Sequence, residues 1–193
     1  MKKVLQGLAI ATHPVFLPIF SLLVYAPLVA YHGPSIKILA AIWVAFVYLI
    51  LPLIFLKLVR KVDFNTPGLE GRKSIYKTYT LINAGFIAVN IFVFSEYVSF
   101  FIGFFFLHLL LWFLIFIELK ASWHAAAWSF LVFAGLLILY RYQLVGLDMR
   151  VFAAFVILLV VCATRYFQKA HSLFELGMGV AVGAITSIII LFF

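Results

Sequence analysis

Residues 164–183 read TRYFQKAHSLFELGMGVAVG, and they form the densest polar cluster near the end of an otherwise apolar chain. One apolar helix is predicted to end in this stretch and another to begin there. Five residues separate Arg165 from His171, and three separate His171 from Glu175. Residues four apart share one face of a helix, so Glu175 can orient the His171 imidazole. The spacing allows a cation, a nucleophile or base, and a carboxylate to converge.

The same stretch has two structural explanations. Ser172 and Glu175 match a capping box, in which the serine caps the last helix and the glutamate returns to the amide of the cap residue. Gly179 and Gly183 continue one face at four-residue spacing, which favours close packing against another helix. Neither explanation accounts for Arg165 or His171. If these two residues are functional, their partners come from the chain upstream.

Composition indicates an integral membrane protein. The 193 residues are 67% hydrophobic and only 10% charged, and the mean hydropathy is +1.24, whereas soluble proteins are about a quarter charged. Because a helix needs about 20 apolar residues to cross the hydrocarbon, the sequence predicts a single all-α domain over residues 1–193, a bundle of six to seven transmembrane helices with short loops. The lone cysteine, Cys162, is predicted to be a small core residue, which leaves no disulfide or cysteine metal site. The predicted segments are about 4–30, 36–56, 79–94, 98–117, 124–140, 151–167 and 172–193.

Prolines mark the first predicted segment. Pro14, Pro18 and Pro27 remove backbone donors, so this segment is predicted to be kinked or partly unwound. It is interpreted as a retained membrane segment rather than a cleaved signal peptide, because its apolar run continues to residue 30. It either crosses the bilayer or forms a re-entrant hairpin. Downstream, the sequence predicts turns at 31–34 and 65–68 and one sizeable polar loop at 57–78.

Basic residues concentrate on one side of this predicted topology. The formal net charge is +8, and eleven of the fourteen lysines and arginines lie at the N-terminus or in the stretches 57–78, 118–124 and 164–172. The positive-inside rule places this side in the cytoplasm, whereas a re-entrant first segment would exchange the two sides. Basic residues beside membrane segments favour anionic lipid head groups or phosphate as partners, rather than nucleic acid.

Two further groups on this side supply candidate site residues. Near the start of the fifth segment, Ser122 can cap the helix, Lys120 can reach the head groups, and Trp123 and His124 can lie in the interfacial belt. In the functional interpretation, Lys120 and Ser122 bind phosphate and His124 protonates a leaving group. Within the basic loop, Arg72 is the residue that would join the site.

These residues carry a resemblance to the type 2 phosphatidic acid phosphatase superfamily. The third motif of that family is Ser-Arg, five residues, His, three residues, Asp, and residues 164–175 resemble it with Thr164 and Glu175 at the two ends. The second motif, Pro-Ser-Gly-His, is similar to residues 121–124, and one helical hairpin separates the two motifs. With His13-Pro14 and the basic loop, the chain looks like a divergent bacterial branch of small membrane proteins.

The resemblance implies a lipid phosphatase of the bacterial inner membrane that needs no metal or other cofactor. Its substrate would be a phosphate monoester or pyrophosphate of an isoprenyl lipid or a glycerophospholipid. By this resemblance, His171 attacks phosphorus and forms a phosphohistidine, Glu175 orients it, and His124 protonates the leaving oxygen. The phosphoryl oxygens would be held by Arg165, Ser122, Lys120 and Arg72.

Departures from the family pattern favour an alternative function. The first motif, Lys, six residues, Arg-Pro, is absent, because Asn65 stands seven positions before Arg72 and Lys73 follows it. In the second motif, Ala121 replaces the proline and Trp123 the glycine. The alternative is a catalytically degenerate relative that serves as a structural or accessory subunit, with other membrane proteins as its partners.

A third interpretation is a haem-binding anchor for electron transfer. Such a site needs paired imidazoles at matching depth on neighbouring helices. The candidate ligands are His13, His108, His124 and His171, of which only His108 is predicted to lie deep in the membrane.

Overall fold

The computed structural model of the protein is built from α-helices. It describes residues 2–21, 34–59, 61–62, 68–90, 95–141, 143 and 148–192, and no strand occurs among them. The all-α class predicted from composition is therefore confirmed. The helices are α1 (Lys2–Ala11), α2 (Pro34–Ala45, continued through Phe46–Ile50, Leu51–Ile54 and Phe55–Val59), α3 (Leu69–Asn90), α4 (Ser95–Phe116), α5 (Trp123–Arg141), α6 (Met149–Phe167) and α7 (Leu173–Ser187), with 3₁₀ turns at Pro14–Phe16 and Ile188–Leu191.

Several of these helices match the thickness of a membrane. Within the described ranges, five helical stretches are long and apolar enough to cross it, and a shorter apolar helix covers Ile42–Leu58. A helix satisfies its own backbone hydrogen bonds, which lipid cannot do for it. The chain is therefore a multi-pass membrane protein. The five stretches are Lys3–Ser21, Val98–Phe116, Trp123–Arg141, Met149–Phe167 and Leu173–Leu191.

The polar loop predicted at 57–78 is shorter in the structure, because α3 already begins at Leu69. Charged residues of this stretch are good helix formers, so they extend the helix beyond its apolar part. Lys73 Nζ lies 2.9 Å from Glu70 Oε1 across one turn of α3, which supports the extension. The residues at 63–67, which hold most of the predicted turn, lie outside the described chain.

The first segment is interrupted at Pro14, as predicted. The α1 helix ends at Ala11, and a 3₁₀ turn over Pro14–Phe16 separates it from helical residues at 17–21. Pro14 cannot continue a helix because it has no N–H to donate. Pro27 and residues 31–33 of the next predicted turn fall outside the described residues.

The described chain divides into two compact units. The discontinuous unit comprises Met1–Leu17 and Lys120–Phe192, and the continuous unit comprises Pro18–Leu119. Each unit has its own packing, described below. That the whole chain forms one transmembrane domain stays a prediction.

Helix α5 is the centre of the discontinuous unit, with most of its side chains buried. Helix α7 packs along it through the predicted glycine face, which is confirmed. A Cβ added at Gly179 would lie 2.5 Å from the Ser122 carbonyl oxygen, and one at Gly183 would meet the α5 backbone in the same way. Between these two glycines, the Val180 carbonyl accepts a hydrogen bond from Ser129 Oγ at 2.7 Å. The two backbones therefore lie in direct contact.

Two hydrogen bonds fasten the N-terminal helix within the same unit. Trp128 Nε1 donates to the carbonyl of Thr12 at 2.9 Å, and Gln168 Nε2 donates to the carbonyl of Leu5 at 2.9 Å. The Thr12 carbonyl follows the last turn of α1, where carbonyls have no intrahelical partner, whereas the Leu5 carbonyl lies inside the helix. The first segment is thus tied to α5 and to the end of α6.

In the continuous unit, α3 compensates for a proline in α2. Pro52 has no N–H to donate to the Tyr48 carbonyl four residues earlier, and the helix widens into π-type turns over Phe46–Ile50. The Tyr79 hydroxyl donates to that carbonyl at 3.0 Å, and the Tyr48 hydroxyl donates to Asn83 Oδ1. A neighbouring helix thus supplies the polar partners that lipid lacks.

Replacing Tyr79 by phenylalanine is expected to lower the free energy of unfolding by about 1 kcal/mol, because a buried carbonyl loses its hydroxyl donor. Reversible unfolding by SDS in mixed micelles measures the loss. Tyr140→Phe is the control, since it removes a hydroxyl from an exposed side chain at the end of α5. Equal stabilities of the two variants would contradict the role given to the Tyr79 hydroxyl.

Candidate functional site

The turn between α6 and α7 brings the residues of the predicted third motif together. Lys169 has a left-handed backbone, with φ of 54°. Its N–H donates to the Tyr166 carbonyl at 2.9 Å, and the Ala170 N–H donates to the Arg165 carbonyl at 3.1 Å. This pair of bonds is the Schellman ending of a helix. It reverses the chain, so that Arg165 lies in the last turn of α6 and His171 just ahead of α7.

Glu175 makes both of the contacts predicted for it. Its Oε2 lies 3.0 Å from His171 Nδ1 and accepts the Ser172 N–H at 3.2 Å. Ser172 Oγ in turn accepts the Glu175 N–H at 3.2 Å, which completes the capping box. With Nδ1–H donated to the carboxylate, the lone pair of the neutral His171 ring is on Nε2. This tautomer is the one that a nucleophilic imidazole requires.

Ser122 fixes the start of α5 against α7. Its N–H donates to the Glu175 carbonyl at 2.9 Å, and its Oγ accepts the Ala125 N–H at 3.4 Å. The predicted capping role of Ser122 is therefore confirmed, and its side chain is fully buried. The backbone bond to Glu175 places the first turn of α5 beside the first turn of α7. Phosphate binding by Ser122 stays a prediction.

Trp123 and His124 are buried inside the discontinuous unit, at 8% exposure each, rather than facing lipid head groups as one interpretation expects. One hydrogen bond of the His124 imidazole goes to the backbone of Ala9. His124 Nε2 is buried and has no hydrogen-bond partner among the described residues. A buried nitrogen of this kind costs free energy unless a ligand atom meets it.

His13 joins this group, although no sequence spacing connects it to residues so distant in the chain. Its ring centroid lies 5.3 Å from that of Trp123 and 5.0 Å from that of His124, edge to face in both cases. The only signal in the sequence is its place directly before Pro14, where the helix has to stop. Edge-to-face packing leaves no room for a porphyrin between the His13 and His124 rings, which argues against haem held by that pair.

Arg165 is positioned by a residue that the motif spacing does not reveal. Its Nη1 donates to Gln168 Oε1 at 2.9 Å, and the amide of Gln168 also binds the Leu5 carbonyl. Gln168 therefore connects the arginine to α1. Arg165 interacts electrostatically with His13 and with His124.

The other two predicted phosphate-binding residues differ in setting. Lys120 belongs to the discontinuous unit, and its side chain is exposed. Arg72 lies on α3 in the continuous unit, where its N–H donates to the Gly68 carbonyl at 3.0 Å. Its membership of the site stays a prediction, as does that of Lys120.

Within the discontinuous unit, five side chains of complementary chemistry form one cluster: His13, His124, Arg165, His171 and Glu175. His124 interacts electrostatically with His13, Arg165 and His171, and His171 is bound to the carboxylate. Such a surplus of basic groups suits an anionic ligand. In the described part of the chain, no three His, Cys, Asp or Glu side chains are arranged to hold a metal ion.

Comparison of the chain with protein-family models, with curated proteins and with solved structures gave no match.

Proposed function

We propose that the protein is a membrane lipid phosphatase that acts through a histidine nucleophile. The observation that carries the proposal is the His171–Glu175 contact of 3.0 Å next to a second buried imidazole and an arginine. Phosphoryl transfer uses such a set of groups: a nucleophile oriented by a carboxylate, an acid for the leaving oxygen and a cation for the phosphoryl oxygens. The resemblance of residues 164–175 and 121–124 to the two phosphatase motifs supports the same chemistry.

Each residue has a defined task in the proposed reaction. Nε2 of His171 attacks phosphorus while Glu175 holds Nδ1–H and stabilises the imidazolium that forms. The bond from phosphorus to the leaving oxygen breaks, and His124, which holds a proton on Nε2 when the phosphate anion is bound, gives that oxygen the proton. Water then attacks the phosphohistidine, which releases inorganic phosphate and returns a proton to His124. Arg165 binds the phosphoryl oxygens, whose negative charge it neutralises in the transition state.

The proposed substrate is a phosphate monoester or pyrophosphate carried by a lipid, either an isoprenyl chain or a glycerophospholipid. The protein is a multi-pass membrane protein, so a substrate anchored in the bilayer reaches it by lateral diffusion. The bacterial inner membrane is the proposed location, following the resemblance to a bacterial branch of the phosphatases. Anionic head groups would also be attracted by the basic residues, which give the chain its net charge of +8.

Phosphate release and a trapped intermediate test this function together. The full chain, purified and placed in nanodiscs, is incubated with isoprenyl pyrophosphate and with phosphatidic acid, each labelled in the phosphate. The expected result is release of inorganic phosphate and, after quenching in base, a labelled peptide that contains His171. Protein unfolded in SDS provides the background. A folded protein that releases no phosphate from either lipid and forms no phosphohistidine would contradict the proposal.

One observation favours the alternative of a non-catalytic accessory subunit. Trp123 occupies the place of the glycine in the resembled second motif, and its indole packs against His13 instead of leaving backbone open to a phosphate. In that case the cluster would hold the helices together, and the folded protein would be inactive. Co-purification of a stoichiometric membrane partner with an inactive chain would support this alternative.

A further inference from the structure

His13 is fixed in place by its own backbone. It caps the 3₁₀ turn over Pro14–Phe16, and its Nδ1 accepts the Val15 N–H at 3.4 Å. Because Nδ1 is an acceptor, the proton of the neutral ring lies on Nε2. The turn exists because Pro14 stops the helix, so the position of this ring is set by local sequence.

The ring that His13 presents is packed against the candidate proton donor. Its centroid lies 5.0 Å from that of His124, with the planes at 84°. Trp123 makes the same kind of contact with His13, at 5.3 Å and 83°. Aromatic rings prefer this edge-to-face arrangement because the positive edge of one meets the negative face of the other. His124 is therefore held by the Ala9 backbone and by the edge-to-face contact with the His13 ring.

We propose that His13 is a positioning residue of the active site, which fixes the plane of the His124 ring so that His124 protonates the leaving oxygen. This inference rests on the proposed phosphatase function. The proton moves from His124 to the oxygen as the bond between phosphorus and that oxygen breaks, and His13 itself exchanges no proton. Misplacing a reacting group by about 1 Å can cost 10²-fold in rate, so a ring that fixes the acid has a measurable effect.

The dependence on the leaving group separates positioning from a merely structural role. Phosphatidic acid has an alkoxide leaving group that needs a proton, whereas 4-nitrophenolate leaves readily without one. Loss of a well-placed acid therefore slows hydrolysis of the first substrate and hardly affects the second. A variant that only loosens the protein slows both equally.

Three variants of the full chain in nanodiscs form the experiment. His13→Asn keeps a good N-cap but removes the ring, and it is expected to lower kcat for phosphatidic acid by about 10–100-fold with little change for 4-nitrophenyl phosphate. His13→Phe keeps a ring against His124 and is expected to restore most of the lost rate. Trp128→Phe removes the bond to the Thr12 carbonyl, and it is expected to change both rates by the same factor.

Each outcome decides the question. Selective loss in His13→Asn with recovery in His13→Phe supports positioning. Equal loss for both substrates, no loss, or a failure of phenylalanine to restore the rate overturns the role of His13 while leaving the phosphatase function standing. If the wild-type protein hydrolyses neither substrate and forms no phosphohistidine, the proposed function itself fails, and this inference fails with it.

Discussion

Glu175→Gln is expected to lower kcat for hydrolysis of a lipid phosphate by about 10²–10⁴-fold, with little change in stability. Glutamine is accepted in a capping box, so it can still bind the Ser172 N–H. It carries no charge, however, and it can present an amide N–H to His171 Nδ1, which would put the ring proton on Nε2 and remove the nucleophilic lone pair. The measurements are phosphate release in nanodiscs and unfolding by SDS.

Ser172→Ala is the matched control for that substitution. It removes the hydroxyl that accepts the Glu175 N–H at 3.2 Å but leaves the carboxylate 3.0 Å from His171. Loss of an N-cap costs about 1 kcal/mol, so this variant is expected to be less stable and to keep its rate within a few-fold. The reverse pattern, with an active Glu175→Gln and an inactive Ser172→Ala, would show that Glu175 serves the helix and not the reaction.

Gly183→Ala is expected to destabilise the discontinuous unit by about 1–3 kcal/mol, because overpacking forces backbone to shift. A Cβ at this position would lie 2.6 Å from the Phe130 backbone nitrogen and 2.7 Å from Ser129 Cβ, and it would also collide with the Ala126 carbonyl oxygen. Backbone atoms of α5 cannot rotate away as a flexible side chain does. Helices α5 and α7 would have to separate, which reversible unfolding in mixed micelles detects.

Gly177→Ala provides the comparison on the same helix. A Cβ there would meet nothing within 4 Å, and alanine is a better helix former than glycine by about 1 kcal/mol. The variant is therefore expected to be as stable as the wild type or more so. If both alanine variants were stabilising, the close approach of α5 and α7 would not be a determinant of stability.

Features encoded locally could be predicted from the sequence. The helices follow from long apolar runs, because lipid leaves the backbone no other way to satisfy its hydrogen bonds. The capping box at Ser172 and Glu175 and the packing face at Gly179 and Gly183 depend only on spacing within one helix. The start of α3 at Leu69 was harder to predict, because the helix continues into charged residues and hydropathy indicates only its apolar part.

Features created by tertiary packing could not be predicted in this way. His13 meets His124 only because α1 is fastened to α5, and Gln168 reaches Arg165 and Leu5 together only because α6 ends beside α1. The burial of Trp123 depends on the same packing. Single residues brought together from distant parts of a chain leave no periodic pattern, so no rule based on spacing can find them.

The discontinuous unit also has a consequence for biogenesis. Residues 1–17 leave the ribosome before Pro18–Leu119, and the chain that completes their unit follows only after that stretch has been made. At synthesis rates of about 5–20 residues per second, this delay lasts roughly 5–20 s. During that time His13 and α1 reside in the membrane without their final neighbours. A translation product truncated before the second part of the unit would thus lack a complete cluster. The N-terminal part of this unit is inserted early, but its folding finishes only after the later helices have been inserted.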